Sequence, residues 1–215
     1  MTAVPAVPPV ALTPAYWARA KRELARNDPL LDAVLRAHPG AVLRSRGDAF
    51  QTLMRSIVGQ QISLKAADSV WARLCLAVAP RPADVIALGH ERLAACGLSQ
   101  RKAEYILDLA RHFAEGRLHI HRWPEMDDEA VIQELIAVRG IGRWTAEMFL
   151  MFNLLRPDVL PVDDLGLRRA VSELYFGGEP IGADAVRHVA RDWAPWRSVA
   201  TWYLWRSLEP VPVEY

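Results

Sequence analysis

The chain reads as an all-α protein of two helical lobes, and three observations carry that reading. Apolar residues recur at three- and four-residue spacing, as at Phe50, Leu53, Met54, Ile57 and Val58. Side chains suited to capping stand immediately before apolar runs at Ser63, Ser99 and Asp127. No segment alternates apolar and polar residues with the period of a strand. With 215 residues, 52% of them hydrophobic, the chain can bury a sizeable core.

Residues 1–14 carry four prolines and no periodic pattern, so they read as an extended leader. Helices are predicted over Pro14–Arg26, Pro29–Ala37 and Phe50–Gln61, then over Leu64–Val78 behind Ser63. Pro82 opens a short helix, and Gly97 closes the next one. Ser99 opens a longer helix to Ala114, ended by Gly116. Asp127 caps Asp128–Val138, which Gly140-Ile141-Gly142 breaks. The following helix, Arg143–Leu155, is apolar on nearly every side and therefore belongs inside the fold. Pro157 stops it, and a loop to Pro161 leads to Asp163-Asp164 and a helix through Gly166–Leu174. Helices near Ala183–Trp193 and Trp196–Ser207 finish the chain. These elements group as a terminal lobe, 15–46 with 165–215, and a central lobe, 47–164, containing a helix-hairpin-helix at about 128–155.

The net charge of +1 argues against an extensive non-specific wrap of nucleic acid. It permits a small footprint made by backbone amides and a few arginines. Cys75 and Cys96 lack C-x-x-C spacing and are expected to be buried thiols. The histidines show no ligand spacing, and His119 and His121 are placed beside a surface turn. The leader lacks the charged start and apolar run of a signal peptide, and no run of about 18 apolar residues exists to span a membrane. Cytoplasm is the expected location, without a membrane partner.

Leu135 to Arg169 holds the chemistry. Glycines at 140 and 142 allow backbone angles closed to other residues and let another backbone come near. The amides opening the next helix carry the positive end of its dipole and suit a phosphate. Two adjacent carboxylates, Asp163 and Asp164, stand some 20 positions beyond the glycines.

The pattern L-x-x-V-x-G-I-G-x-W-T-A followed by D-D resembles the helix-hairpin-helix, Gly/Pro/Asp DNA glycosylases. Its variant is most similar to the alkylation-repair branch, 3-methyladenine DNA glycosylase II. Supporting matches are Ile57 to Ser63, Gly97-Leu98-Ser99 with Lys102-Ala103, and the tail from Trp193 to Arg206. The resemblance covers about 47–208 and is to the compact form that lacks an N-terminal β-domain.

The resemblance implies an active cleft between the lobes, with double-stranded DNA containing damaged bases as the partner of a monomer. Asp164 matches the active aspartate, with Leu167 and Arg169 behind it, so catalysis is assigned to Asp164 and helix capping to Asp163. Trp144 and Trp205 match the pocket aromatics that receive a flipped base, and Trp202 is a further candidate. Met148 stands where relatives carry a tyrosine. Gln60 and Gln61 match the wedge that fills the emptied stack, and Arg139 and Arg143 flank the hairpin within reach of phosphates. Trp144 occupies the place of the lysine in lyase-competent members, which implies hydrolysis by water without strand cleavage. No cofactor is required and no iron–sulfur cluster is expected. A Na+ or K+ ion on the backbone carbonyls of Ile136, Val138 and Ile141 is implied as a structural aid. Two alternatives stand beside this reading: a glycosylase for oxidised or deaminated bases, and a non-catalytic DNA-binding module.

Overall fold

The computed structural model describes residues 13–40, 42–45 and 47–208. Most of the expected leader, residues 1–12, lies outside them. The described residues form twelve α-helices and no strand. They fall into two compact units, one of the described residues up to 45 together with 150–208, the other of 47–149. The sequence reading set the second change of lobe after Asp164, whereas here it falls at Leu150, inside a helix.

In the unit formed by both chain ends, α1 (Trp17–Asn27) and α2 (Pro29–Ala37) are joined by the single residue Asp28. One Asp28 oxygen accepts the Leu30 and Leu31 N–H groups, each at 3.0 Å, which caps α2. The other accepts the Tyr175 hydroxyl and, at 3.1 Å, the Trp193 indole N–H. A buried carboxylate with four donors has its lost hydration replaced, and it ties the α1–α2 corner to distant chain. This unit continues with α10 (Leu165–Tyr175), α11 (Ala183–Val189) and α12 (Arg197–Leu208). From Ser198 to Trp205 α12 is buried on all sides.

The other unit holds α3 (Ala49–Gly59), α4 (Leu64–Ala77), α5 (Pro82–Leu88), α6 (His90–Ala95), α7 (Gln100–Ala114) and α8 (Asp128–Ile136). Ser63, Ser99 and Asp127 cap α4, α7 and α8 as predicted, accepting the N–H groups of Ala66, Lys102 and Ala130. His119 and His121 are exposed, but His119 also anchors its turn, giving its N–H to Glu134 at 3.0 Å. The same carboxylate accepts the indole N–H of fully buried Trp123 at 2.8 Å. Cys96 is buried; Cys75, contrary to expectation, is exposed, because its position on α4 faces away from the buried Ala67–Val70–Leu74 stripe.

Helix α9 (Arg143–Phe152) passes from one unit into the other and is buried from Thr145 onward. It ends at Phe152, short of the predicted Leu155. Leu155 has φ 54°, which no helix can continue, and the Tyr16 hydroxyl donates to its carbonyl at 2.7 Å.

Candidate active site

The hairpin is built by a glycine that cannot be replaced without strain. Gly140 has φ +86°, and a Cβ there would lie 2.2 Å from the Tyr105 ring of α7. The turn is closed by the Ile141 N–H on the Val138 carbonyl at 3.1 Å, and Gly142 accepts the Ala146 N–H at 3.0 Å. Gly142 differs from expectation: its φ is not left-handed, and a Cβ on it would meet nothing within 4 Å. Its lack of a side chain leaves the first-turn amides of α9 open to an approaching backbone. Such amides have no carbonyl of their own helix to bond.

Beside the hairpin lies an open depression of about 720 Å³, lined by Gln60, Gln61, the first turn of α7, Tyr105 and Gly140 to Gly142. Of the two residues implied as the wedge, Gln60 lies against the hairpin. Its amide donates to the Gly140 carbonyl at 2.8 Å, so the side chain is engaged on the hairpin. Gln61 is the exposed member of the pair and holds φ 57°, a conformation costing about 1 kcal/mol or more for a side chain of this kind. Lys102 secures this corner, donating to the Val58 carbonyl at 2.8 Å and the Gln60 carbonyl at 2.6 Å.

The two arginines flanking the hairpin have carboxylate partners. Arg143 meets Glu129 through two nitrogens, at 3.0 and 2.7 Å, and Glu147 at 3.2 Å. The Arg143 hydrogen bond first, and then one from Gln133, pull the Glu129 carboxyl down to about 2. Arg139 keeps its side chain more than half exposed, while its backbone N–H donates to Asp108 at 2.9 Å. The Arg139 guanidinium meets Asp108 only at 3.7 Å, whereas that of Arg143 is tied to two carboxylates. On α9 itself Trp144 is 38% exposed and Met148, one turn on, is buried.

In the other unit, Asp164 and Asp163 reverse one predicted role. Asp164 caps α10, its Oδ1 accepting the Leu167 N–H at 2.6 Å. Asp163 instead pairs with Arg168 at 2.6 Å, and Arg168 also holds the Val162 carbonyl at 2.6 Å. The cap falls to Asp164 because α10 begins at Leu165, which makes Leu167 the third helical residue, the position a capping oxygen reaches. Asp164 Oδ1 also accepts the Trp205 indole N–H at 2.8 Å. Trp205 is buried and stacks on Phe152 at 5.9 Å with 13° between planes. Trp202 meets Phe152 edge-on at 5.8 Å, and the Arg206 guanidinium lies 4.1 Å from its ring centroid.

Two further residues shape this cluster without having been singled out. A Cβ on Gly166 would lie 3.1 Å from Asp164 Oδ1 and 3.2 Å from the Trp205 ring, so any larger residue there would crowd their contact by a few tenths of an ångström. Asp158 fastens the loop before Asp164 to α12, meeting Arg197 at 2.7 and 2.6 Å. Among the described residues no group of three or more His, Cys, Asp or Glu side chains is arranged to hold a metal ion.

Residues 54–195 match the model of the HhH-GPD superfamily base excision DNA repair proteins. A DNA-3-methyladenine glycosylase of Bacillus subtilis is 33% identical over 92% of this chain and 67% of its own length. The crystal structure of a Bacillus halodurans DNA-3-methyladenine glycosidase superposes with a TM-score of 0.80 at 36% identity, covering 91% of each chain. The Schizosaccharomyces pombe 3-methyladenine DNA glycosylase, solved with abasic DNA, gives 0.77 at 28% identity, over 88% of this chain and 96% of that one. The chain spans about two thirds of the length of the Bacillus subtilis relatives it matches, 66% of one and 67% of the other.

Proposed function

Since this chain belongs to the HhH-GPD superfamily of base excision DNA repair proteins, we propose that it removes alkylated purines of the 3-methyladenine type from duplex DNA. The carrying observation is the Asp164–Trp205 hydrogen bond at the start of α10. It joins a carboxylate to an aromatic wall, the two parts that base release requires.

As the N-glycosidic bond breaks, positive charge builds on the deoxyribose. A carboxylate at ~4 Å, with an effective dielectric of ~20, stabilises that charge by about 4 kcal/mol. Asp164 also orients the water that attacks the sugar, a role worth about 10²–10⁴-fold. An alkylated purine is itself cationic, so it leaves readily and is attracted to indole faces such as Trp205 and Trp144. The hairpin at Gly140–Gly142 holds a phosphate through backbone amides. Gln61 enters the stack in place of the flipped nucleotide. Trp144 at the lysine position supports water, not an amine, as the nucleophile.

A monovalent cation on the Ile136, Val138 and Ile141 carbonyls fits this hairpin. Ile136 and Val138 lie at the negative end of α8, and the Val138 carbonyl, which bonds Ile141, keeps a second lone pair for ligation. Bound there, the ion would add positive charge for a phosphate. The protein acts on DNA as a monomer, in the cytoplasm. No described helix is long and apolar enough to cross a membrane.

The test is a panel of duplexes, each carrying one lesion: 7-methylguanine, ethenoadenine, hypoxanthine or 8-oxoguanine, with methylated DNA as the source of 3-methyladenine. Alkylated purines should be released, leaving intact abasic strands and no adduct on borohydride trapping. Asp164→Asn should lower release by about two orders of magnitude or more while retaining binding, since asparagine caps nearly as well. Release of 8-oxoguanine alone would establish the oxidised-base alternative, and binding without release the non-catalytic one.

A further inference from the structure

Helix α7 presents Lys102, Tyr105 and Asp108 at three-residue intervals, a single stripe of its surface. Each takes a different piece of the backbone of the Gln60 corner and the hairpin. Lys102 holds the Val58 and Gln60 carbonyls, Tyr105 packs its ring on Gly140, and Asp108 accepts the Arg139 N–H. Gln60 closes the loop between them, its carbonyl on Lys102 and its side-chain amide on the Gly140 carbonyl. None of these contacts involves Asp164 or the aromatic cluster around it.

We propose that Lys102 is a positioning residue that fixes the Gln60–Gln61 corner against the hairpin, so that Gln61 enters the duplex when the hairpin seats on a phosphate. The proposal rests on the glycosylase reading above. Gln61 follows directly on the peptide that Lys102 grips and is held in a left-handed conformation that a free corner would relax. A wedge must withstand the resistance of stacked bases, and Gln60 alone offers one hydrogen bond against it. An ammonium suits the place. It offers several donors to the carbonyls at the negative end of α3, where a neutral side chain of that length offers none. Burial lowers the Lys102 pKa, as expected of an amine drawn down onto backbone rather than left in solvent.

The experiment uses the full chain and duplexes carrying one ethenoadenine, with 2-aminopurine in the opposite strand facing the lesion. Its fluorescence rises when the wedge unstacks it. Lys102→Met should bind undamaged duplex within about twofold of the unaltered protein, because Tyr105 and Asp108 still hold the hairpin. It should lose most of the fluorescence rise and release base about tenfold or more slowly, as expected when a group is misplaced by about 1 Å. Lys102→Arg should recover much of both. Should Lys102→Met not fold, Gln60→Ala must show the same split between retained binding and lost unstacking. The proposal falls if Lys102→Met unstacks and releases as the unaltered protein does. It falls equally if undamaged-duplex binding and release drop together, as a merely structural role requires. Failure of the unaltered protein to unstack or release any base defeats the glycosylase reading itself, and the proposal with it.

Discussion

Trp205 gives its indole N–H to the same oxygen of Asp164 that receives the Leu167 N–H, at 2.8 and 2.6 Å. One donor comes from the backbone of α10 and the other from a side chain of α12, so the carboxylate is held from two elements. Trp205→Phe keeps a ring against Phe152 and removes one of those donors. Hydrogen bonds to a charged group contribute about 1.5–3 kcal/mol, so kcat/KM on a lesion duplex should fall by roughly ten- to a hundredfold. The fall should be much smaller when the same change is made on top of Asp164→Asn.

Gly166→Ala sets two effects against each other. Alanine favours a helix by about 1 kcal/mol, while its methyl group presses on Asp164 Oδ1 and the Trp205 ring. The crowding falls on the contact proposed for catalysis. Thermal unfolding should therefore change by only a few degrees, and base release should drop at least about fivefold. Loss of stability with unaltered release would show that Gly166 does not govern the Asp164–Trp205 contact.

The two hairpin glycines should answer differently to the same substitution. Gly140→Ala forces a side chain into a left-handed conformation and against Tyr105, costing about 2 kcal/mol or more. It should lower both stability and affinity for undamaged duplex, measured by fluorescence anisotropy. Gly142→Ala should leave the melting temperature within a few degrees and affect affinity alone, because its Cβ meets nothing in the protein. Equal losses of stability from the two would contradict the hairpin geometry.

Burial, joined by its bond to Asp28, raises the Tyr175 pKa well above the ordinary value of 10.0. A tyrosine that stays neutral in the folded state contributes stability below pH 10. That contribution is lost as pH rises further, because the unfolded chain gives up the proton more easily. The melting temperature should fall between pH 10 and pH 11 more steeply than in Tyr175→Phe. The variant should also be less stable at neutral pH, having taken a donor from buried Asp28.

Legibility from sequence followed the range of the interaction. Ser63, Ser99 and Asp127 were readable because a cap bonds an amide two or three residues on. The Asp163–Asp164 pair misled on capping because the two acids are adjacent and only the start of α10 decides which reaches the third amide. The motif identified Asp164, but its bond from Trp205, 41 positions away, has no local trace. Gln60 and Gln61 were singled out by their motif match, and nothing local announces the bond from Gln60 to Gly140, 80 positions on. Of the two carboxylates on Arg143, Glu147 stands one helical turn away and was within reach of pattern; Glu129 required the hairpin to fold back. Cys75 needed the facing of α4, which a lone small residue does not reveal.

The double use of one Asp164 oxygen bears on how this protein tolerates change over evolutionary time. Reactive groups are commonly kept at the expense of stability, so drift toward a sturdier fold erodes activity. Here a chain that exchanges Asp164 for alanine loses its α10 cap along with the carboxylate, at a cost of about 1 kcal/mol. On the proposed mechanism, selection for a folded protein and selection for repair act on the same atom in the same direction. A descendant carrying alanine at this position is then both inactive and less stable. Asparagine, which preserves the cap, is the route by which a binding-only paralogue would most readily persist.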